Sequence, residues 1–276
     1  MNLESIDCFI KVADARSLSH AAKLHRLPKS TLSHKIRQLE DGLGVALFVR
    51  EALAMAIDRD AILKEVYQGA GQKAKNLIPP IMWSYDGSTV DWEYNPEKAK
   101  ELLKKAGINK LDTDLWWMPV QRPYNPNAKR MAEMIQADLA KVGINATLVS
   151  YEWGEYRKRL QAGEHQLGLL GWTGDNGDPD NFFFLLSCDK NGKPASQNIS
   201  KWCDPRLNEL LLKGRTLSDQ ADRTKIYQEM QKIHHNGVPG LNIAHSTVFE
   251  PVRKEVTGYK FSPFGAHEFQ NVDITG

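Results

Sequence analysis

Apolar residues recur at helical spacing from the start of the chain. Ile6, Phe9, Ile10 and Ala13 share one face of residues 3–14, which predicts an amphipathic helix. Ser17 and Ser19 are candidate caps for a short second helix, Ala21 to Leu27, which Pro28 interrupts. Ser30 starts a third helix with Leu32, Ile36, Leu39 and Leu43 on one side. Its other side carries Lys29, Ser33, His34, Lys35, Arg37 and Gln38. Ala52, Met55 and Ala56 again keep helical spacing, and Asp58 is placed to cap a helix running to Gly69. Residues 78–96, rich in Pro and aromatics, read as a long irregular segment that is either functional or pinned by packing.

A strand–helix alternation follows. Asn95 caps and Pro96 opens a helix that ends at Gly107. Strands over 113–118, 144–150 and 167–172 alternate with helices over 127–142 and 155–162. That order predicts an α/β fold with a mostly parallel sheet and helices packed against it. Helices over 205–214 and 219–236 and strand-like segments over 240–249 and 255–261 complete the pattern.

Composition adds limits. The 276 residues are 41% hydrophobic and 25% charged, which is globular usage. The formal net charge of +2 predicts no global attraction to nucleic acid or acidic lipid. No run of apolar residues is long enough for a membrane span. The balance is nevertheless uneven, because basic residues outnumber acidic ones in residues 1–50 and not beyond them. A short helix, a tight turn and a basic third helix together predict a helix-turn-helix, with Ser, His and Arg reaching base edges and Lys reaching phosphate. The alternative is an ordinary three-helix bundle with a solvated basic face.

Candidate chemistry gathers at one sheet edge, since ligands bind beyond the carboxyl ends of strands in such sheets. Arg122 follows the first strand, Trp153 the second and Asp175 the third. One cation, one aromatic platform and one anion suit a small zwitterion: a guanidinium fork for its carboxylate and a carboxylate for its ammonium. The alternative makes Arg122 and Asp175 surface charges and Trp153 a core residue. The acidic run Gly174–Asp180 reads as a turn rather than a calcium loop, because it lacks the spaced Glu and contains Pro179. His234, His235, His245 and His267 lack metal-ligand spacing, and neither a phosphate loop nor a nucleophile elbow occurs. Catalysis, a metal and a cofactor are therefore not expected. Cys188 and Cys203 flank a short polar loop and are either a bridge or two separate thiols.

Two resemblances cover the chain. Phe9–Leu24, Ser30–Glu40 and Leu43–Arg50 resemble the start of a LysR-type transcriptional regulator. This implies that Lys29, Ser30, Ser33, His34 and Arg37 face DNA, although that family usually has Gln and Arg where Lys29 and His34 stand. Its wing and dimerisation helix do not follow Arg50. Val49–Ile62, Tyr67–Gly71, Met118–Pro126, Gly171–Asn181 and Ile243–Arg253 resemble the periplasmic dipeptide receptors of peptide ABC importers, in extracellular solute-binding family 5. The second resemblance implies a type II periplasmic-binding-protein-like lobe. Arg122 is implied to clamp a peptide carboxylate and Asp175 its amino group, with Tyr124 and Trp153 in the pocket and Cys188–Cys203 as a disulfide.

The expected organisation is a chimera joined at residues 48–51. Residues 1–50 form the helix-turn-helix, 51–246 the C-terminal lobe, and 247–276 strands belonging to a second lobe that is otherwise missing. The expected partners are a short peptide, DNA through residues 29–37, and an importer permease if the chain is exported. The location is left open: Glu4 and Asp7 break any signal-peptide pattern, implying cytoplasm, whereas residues 51–276 imply the periplasm. A DNA-binding regulator and an inactive fusion remain as alternative readings.

Overall fold

The computed structural model describes residues 45–262, 264 and 267–275, together with 7, 8, 11, 23–28 and 31. Lys29, Ser30, Ser33, His34 and Arg37 lie outside these residues.

Helix α1 (Val45–Ala56) runs unbroken through residues 48–51, so the two sequence patterns meet inside one helix. Its Ala52 and Ala56 are fully buried. Helix α2 (Arg59–Ile62) starts where the Asp58 carboxylate accepts from the Ala61 amide at 2.9 Å. It continues as a π-helical turn over Leu63–Tyr67, and Gln68 closes it in the left-handed region at φ 51°. Strand β1 (Gly71–Lys73) follows. Helix α3 (Pro96–Lys105) has Asn95 as its cap, accepting from the Lys98 amide at 2.9 Å. The Asn95 amide in turn donates to the Met55 carbonyl at 2.7 Å, which fixes the start of α3 against the end of α1.

The central sheet is parallel. Strand β2 (Leu111–Trp116) lies between β3 (Ile144–Val149) and the short β4 (Leu167–Gly168). Helix α4 (Ala128–Lys141) packs Met131, Ala132, Ile135 and Leu139 onto Leu115, Ile144 and Ala146 of the sheet. Helix α5 (Trp153–Ala162) joins β3 to β4 and buries Tyr156 and Leu160 against Trp116 and Met118. The helices predicted for this region form, because each apolar stripe has a sheet face to cover.

A second core lies among helices. Helix α6 (Asp180–Phe183), α7 (Pro205–Thr216) and α8 (Gln220–Gly237) bury Phe183, Leu207, Leu211, Tyr227 and Met230, with Ile78 from the irregular segment. Strand β5 (Ala244–Ser246) pairs antiparallel with β1, and β6 (Val256–Thr257) pairs with β7 (Asp273–Ile274). No helix among the described residues is long and apolar enough to cross a membrane.

The irregular stretch 78–96 is pinned by packing. The Gln231 amide bridges the Asp86 amide and the Ser84 carbonyl at 2.9 Å each. Trp92 stacks on His235 with ring centroids 4.9 Å apart. Arg59, buried in the core, donates to the carbonyls of Ala74 (2.8 Å), Asn242 (3.1 Å) and Trp92 and pairs with Asp91 at 2.6 Å. One buried guanidinium thus gathers three separate loops, which satisfies its donors in the absence of water.

Candidate functional site

The loop after β2 carries Arg122 and Tyr124. It turns through a pair of backbone hydrogen bonds between Arg122 and Asn125, at 3.1 and 2.9 Å. The Tyr67 hydroxyl holds the loop by donating to the Tyr124 carbonyl at 2.9 Å. Burial pushes the Tyr67 phenol up to about 12, so it stays a protonated donor.

Trp153 is the first residue of α5, not part of the loop before it. Glu152 caps that helix by accepting from the Gly154 amide at 2.8 Å, which fixes where Trp153 leaves the backbone. The Trp153 ring stacks on Tyr156 at 5.9 Å and 17°. The Tyr156 hydroxyl donates to the Leu169 carbonyl at 2.6 Å. Platform, helix and the ends of β2 and β4 are therefore one rigid unit.

Arg122 and Trp153 come together: the guanidinium carbon sits 4.7 Å from the ring centroid. Tyr124 joins them from the same loop, and its ring rests against Gly171. A Cβ at Gly171 would collide with the Tyr124 ring, so this close approach requires glycine. Burial raises the Tyr124 pKa, and the nearby Arg122 and Arg157 pull in the opposite direction.

Asp175 is held separately on the loop after β4. Its amide donates to the Asn181 side-chain oxygen at 3.0 Å, and Asn181 returns a bond to its carboxylate at 3.2 Å. Trp172 donates to the same Asn181 oxygen at 2.7 Å. Asp178 and Asp180, in the same acidic run, serve a different purpose. Asp178 takes a two-pronged bond from Arg223 at 2.6 and 2.8 Å, and Asp180 pairs with Arg215 at 2.7 Å. Burial works to raise the Asp178 pKa, but the Arg223 fork, the Asp180 amide and the Tyr227 hydroxyl together outweigh it and leave the carboxyl below its usual range. Among the described residues, Arg122 has no carboxylate partner and Asp175 has no cationic one.

Sequence reasoning did not single out Arg157. It stands one helical turn after Trp153, and its guanidinium carbon is 5.9 Å from the same ring. The only signal for it was the four-residue spacing on a helix. Cys188 and Cys203 are joined by a disulfide with Cα atoms 5.6 Å apart, which ties the loop after α6 to the start of α7.

Residues 3–56 match the bacterial regulatory helix-turn-helix proteins of the LysR family, and residues 41–194 match the bacterial extracellular solute-binding proteins, family 5, middle region. The overlap of the two matches contains α1. The chain is 58% identical over 228 residues to the dipeptide-binding protein of Escherichia coli, covering 82% of this chain and 42% of that protein. It is 46% identical over 229 residues to heme-binding protein A of Haemophilus influenzae, again covering 42% of the relative. The structure of a dipeptide-binding protein from a Pseudoalteromonas species in complex with Met-Leu superposes with a TM-score of 0.77 at 38% identity, over 83% of this chain and 45% of that one. The chain thus spans less than half the length of these relatives. A lobe of this fold, preceded by a stretch matching a second family, accounts for the described residues, and the chain belongs to the bacterial extracellular solute-binding proteins, family 5.

Proposed function

We propose that residues 51–246 form a non-catalytic peptide-binding lobe. Arg122 clamps the C-terminal carboxylate of a short peptide, Asp175 pairs with its amino group, and Tyr124 and Trp153 wall the backbone between them. The observation that carries this reading is the contrast within one group of charges. Asp178 and Asp180 are occupied by arginines of the fold, whereas Arg122, mounted on Trp153, and Asp175 have no oppositely charged partner among the described residues. Relatives named for a dipeptide and for heme share the family. A cation and an anion on neighbouring loops favour the dipeptide, which has both an ammonium and a carboxylate, over heme, which has carboxylates alone. A permease of a peptide ABC importer is the partner such a receptor serves, and residues 247–276 supply strands of a second lobe.

Calorimetric titration with Ala-Ala, its N-acetylated form and its C-amidated form tests the assignment. Binding of the free dipeptide that weakens on blocking either end supports it. Equal affinity for all three forms, or tighter binding of heme, contradicts it. A single lobe covers one side of the ligand only, so its affinity is expected to fall below that of a closed two-lobed receptor.

The match of residues 3–56 favours a second activity, DNA binding through Lys29, Ser30, Ser33, His34 and Arg37. One helix-turn-helix contacts one half-site, so weak duplex binding that falls steeply with salt is expected. An absent or salt-independent mobility shift contradicts it.

A further inference from the structure

We propose that Arg157 makes the site selective for peptides whose C-terminal residue is acidic. This rests on the peptide-binding reading and names its substrate class. Trp153 is flanked by two cations, Arg122 at 4.7 Å and Arg157 at 5.9 Å from one ring centroid. The two guanidinium carbons can therefore be no further apart than the sum of those distances. Tyr124 lies within the field of both. Two like charges sharing one ring raise the local positive potential and favour an anion there.

The protein supplies no such anion among the described residues. Each carboxylate on or beside α5 is already engaged: Glu152 accepts from the amides of Gly154 and Glu155, and Glu155 and Glu164 both pair with Arg159. Arg157 is exposed, carries no ion pair among the described residues, and is oriented by the Trp153 face. Arg122 answers the main-chain carboxylate. The second cation, one ring away, lies within side-chain reach of that carboxylate's own residue. A second carboxylate on that residue, as in X-Glu or X-Asp, engages Arg157. The guanidinium fork suits this task better than an ammonium because it accepts a carboxylate edge-on while its face stays on the ring.

The test compares Ala-Glu with Ala-Gln, which differ in charge but hardly in shape, by calorimetric titration of the full chain. The expected result is tighter binding of Ala-Glu by about three- to five-fold at low salt, as for one added exposed charge pair, fading at high salt. Arg157→Ala brings the ratio of the two affinities to about one, and Arg157→Glu inverts it. Lys158→Ala, which removes the same charge one residue away, keeps the wild-type ratio. Equal affinities in the wild type, or a ratio unchanged in Arg157→Ala, overturns the proposal while leaving the peptide site standing. Binding of neither peptide overturns both.

Discussion

Of the arginines that rest on aromatic rings, Arg223 and Arg122 form the sharpest contrast. Arg223, in the helical core, lies 5.5 Å from Trp83 and 5.3 Å from Tyr227, and its fork closes on Asp178. Arg122, at the sheet edge, lies 4.7 Å from Trp153 and closes on no carboxylate among the described residues. The first is a staple whose hydrogen-bonding capacity is spent inside the fold. The second is held in place by a ring yet keeps its fork available. Whether the fold already supplies a partner is what separates a structural charge from one proposed for recognition.

Substitutions should divide along that line. Arg223→Ala strands Asp178 in a part-buried site and is expected to lower unfolding free energy by about 2–3 kcal/mol in chemical denaturation. Arg122→Ala should move the same curve by less than about 0.5 kcal/mol, as for a surface change. In peptide titration the order reverses. Arg122→Ala is expected to weaken binding by about 1.5–3 kcal/mol, whereas Arg223→Ala leaves the affinity of the folded fraction near wild type. Gly171→Ala tests the geometry between the two. The added methyl displaces the Tyr124 ring and should cost both stability and peptide affinity, about 1–2 kcal/mol of the former. Asp175→Asn should have the smallest effect, about 1 kcal/mol in affinity, because Asp175 is exposed and its Asn181 contacts partly survive.

Acid provides another separation. Burial holds His234 and His245 neutral, with pKa values lowered to about 4 from the ordinary 6.5. The unfolded chain therefore binds protons first, and the stability these two contribute is complete above pH 6.5 and drains as pH falls toward 4. Asp178, held below the usual carboxylate range, keeps its staple through that window. Thermal melts across pH 7 to 4 should show falling Tm, and His234→Gln should flatten the slope.

Much of the fold was legible in short-range chemistry. Asp58 and Asn95 each cap a helix through a side-chain oxygen, as their positions predicted, and the Pro after Asn95 sits where its missing N–H costs nothing. The parallel pairing of β2, β3 and β4 followed from strand–helix alternation, whereas the placing of β2 in the middle did not. Lengths were less legible. The strand expected over 167–172 shrinks to Leu167–Gly168, because beyond it the chain leaves the ladder to bring Gly171 under Tyr124. The segments over 240–249 and 255–261 keep three and two paired residues, limited by the short partners β1 and β7. Arg59 gave no sign of burial in the sequence, since its four acceptor contacts come from loops distant along the chain. At the site, residue types and loop positions identified Arg122, Trp153 and Asp175 as candidates, and the family resemblance added Tyr124. Which acidic residue of the run was left unpaired depended on α7 and α8, which a local pattern does not place.

The most direct test of the account is the thermal melt of the purified chain across a concentration series of Ala-Ala, alongside Arg122→Ala. A ligand that binds only the native state must raise its stability. The expected result is a cooperative melt whose Tm climbs with dipeptide in the wild type and stays flat in Arg122→Ala. A wild-type Tm indifferent to dipeptide, or one that climbs equally in Arg122→Ala, would contradict it.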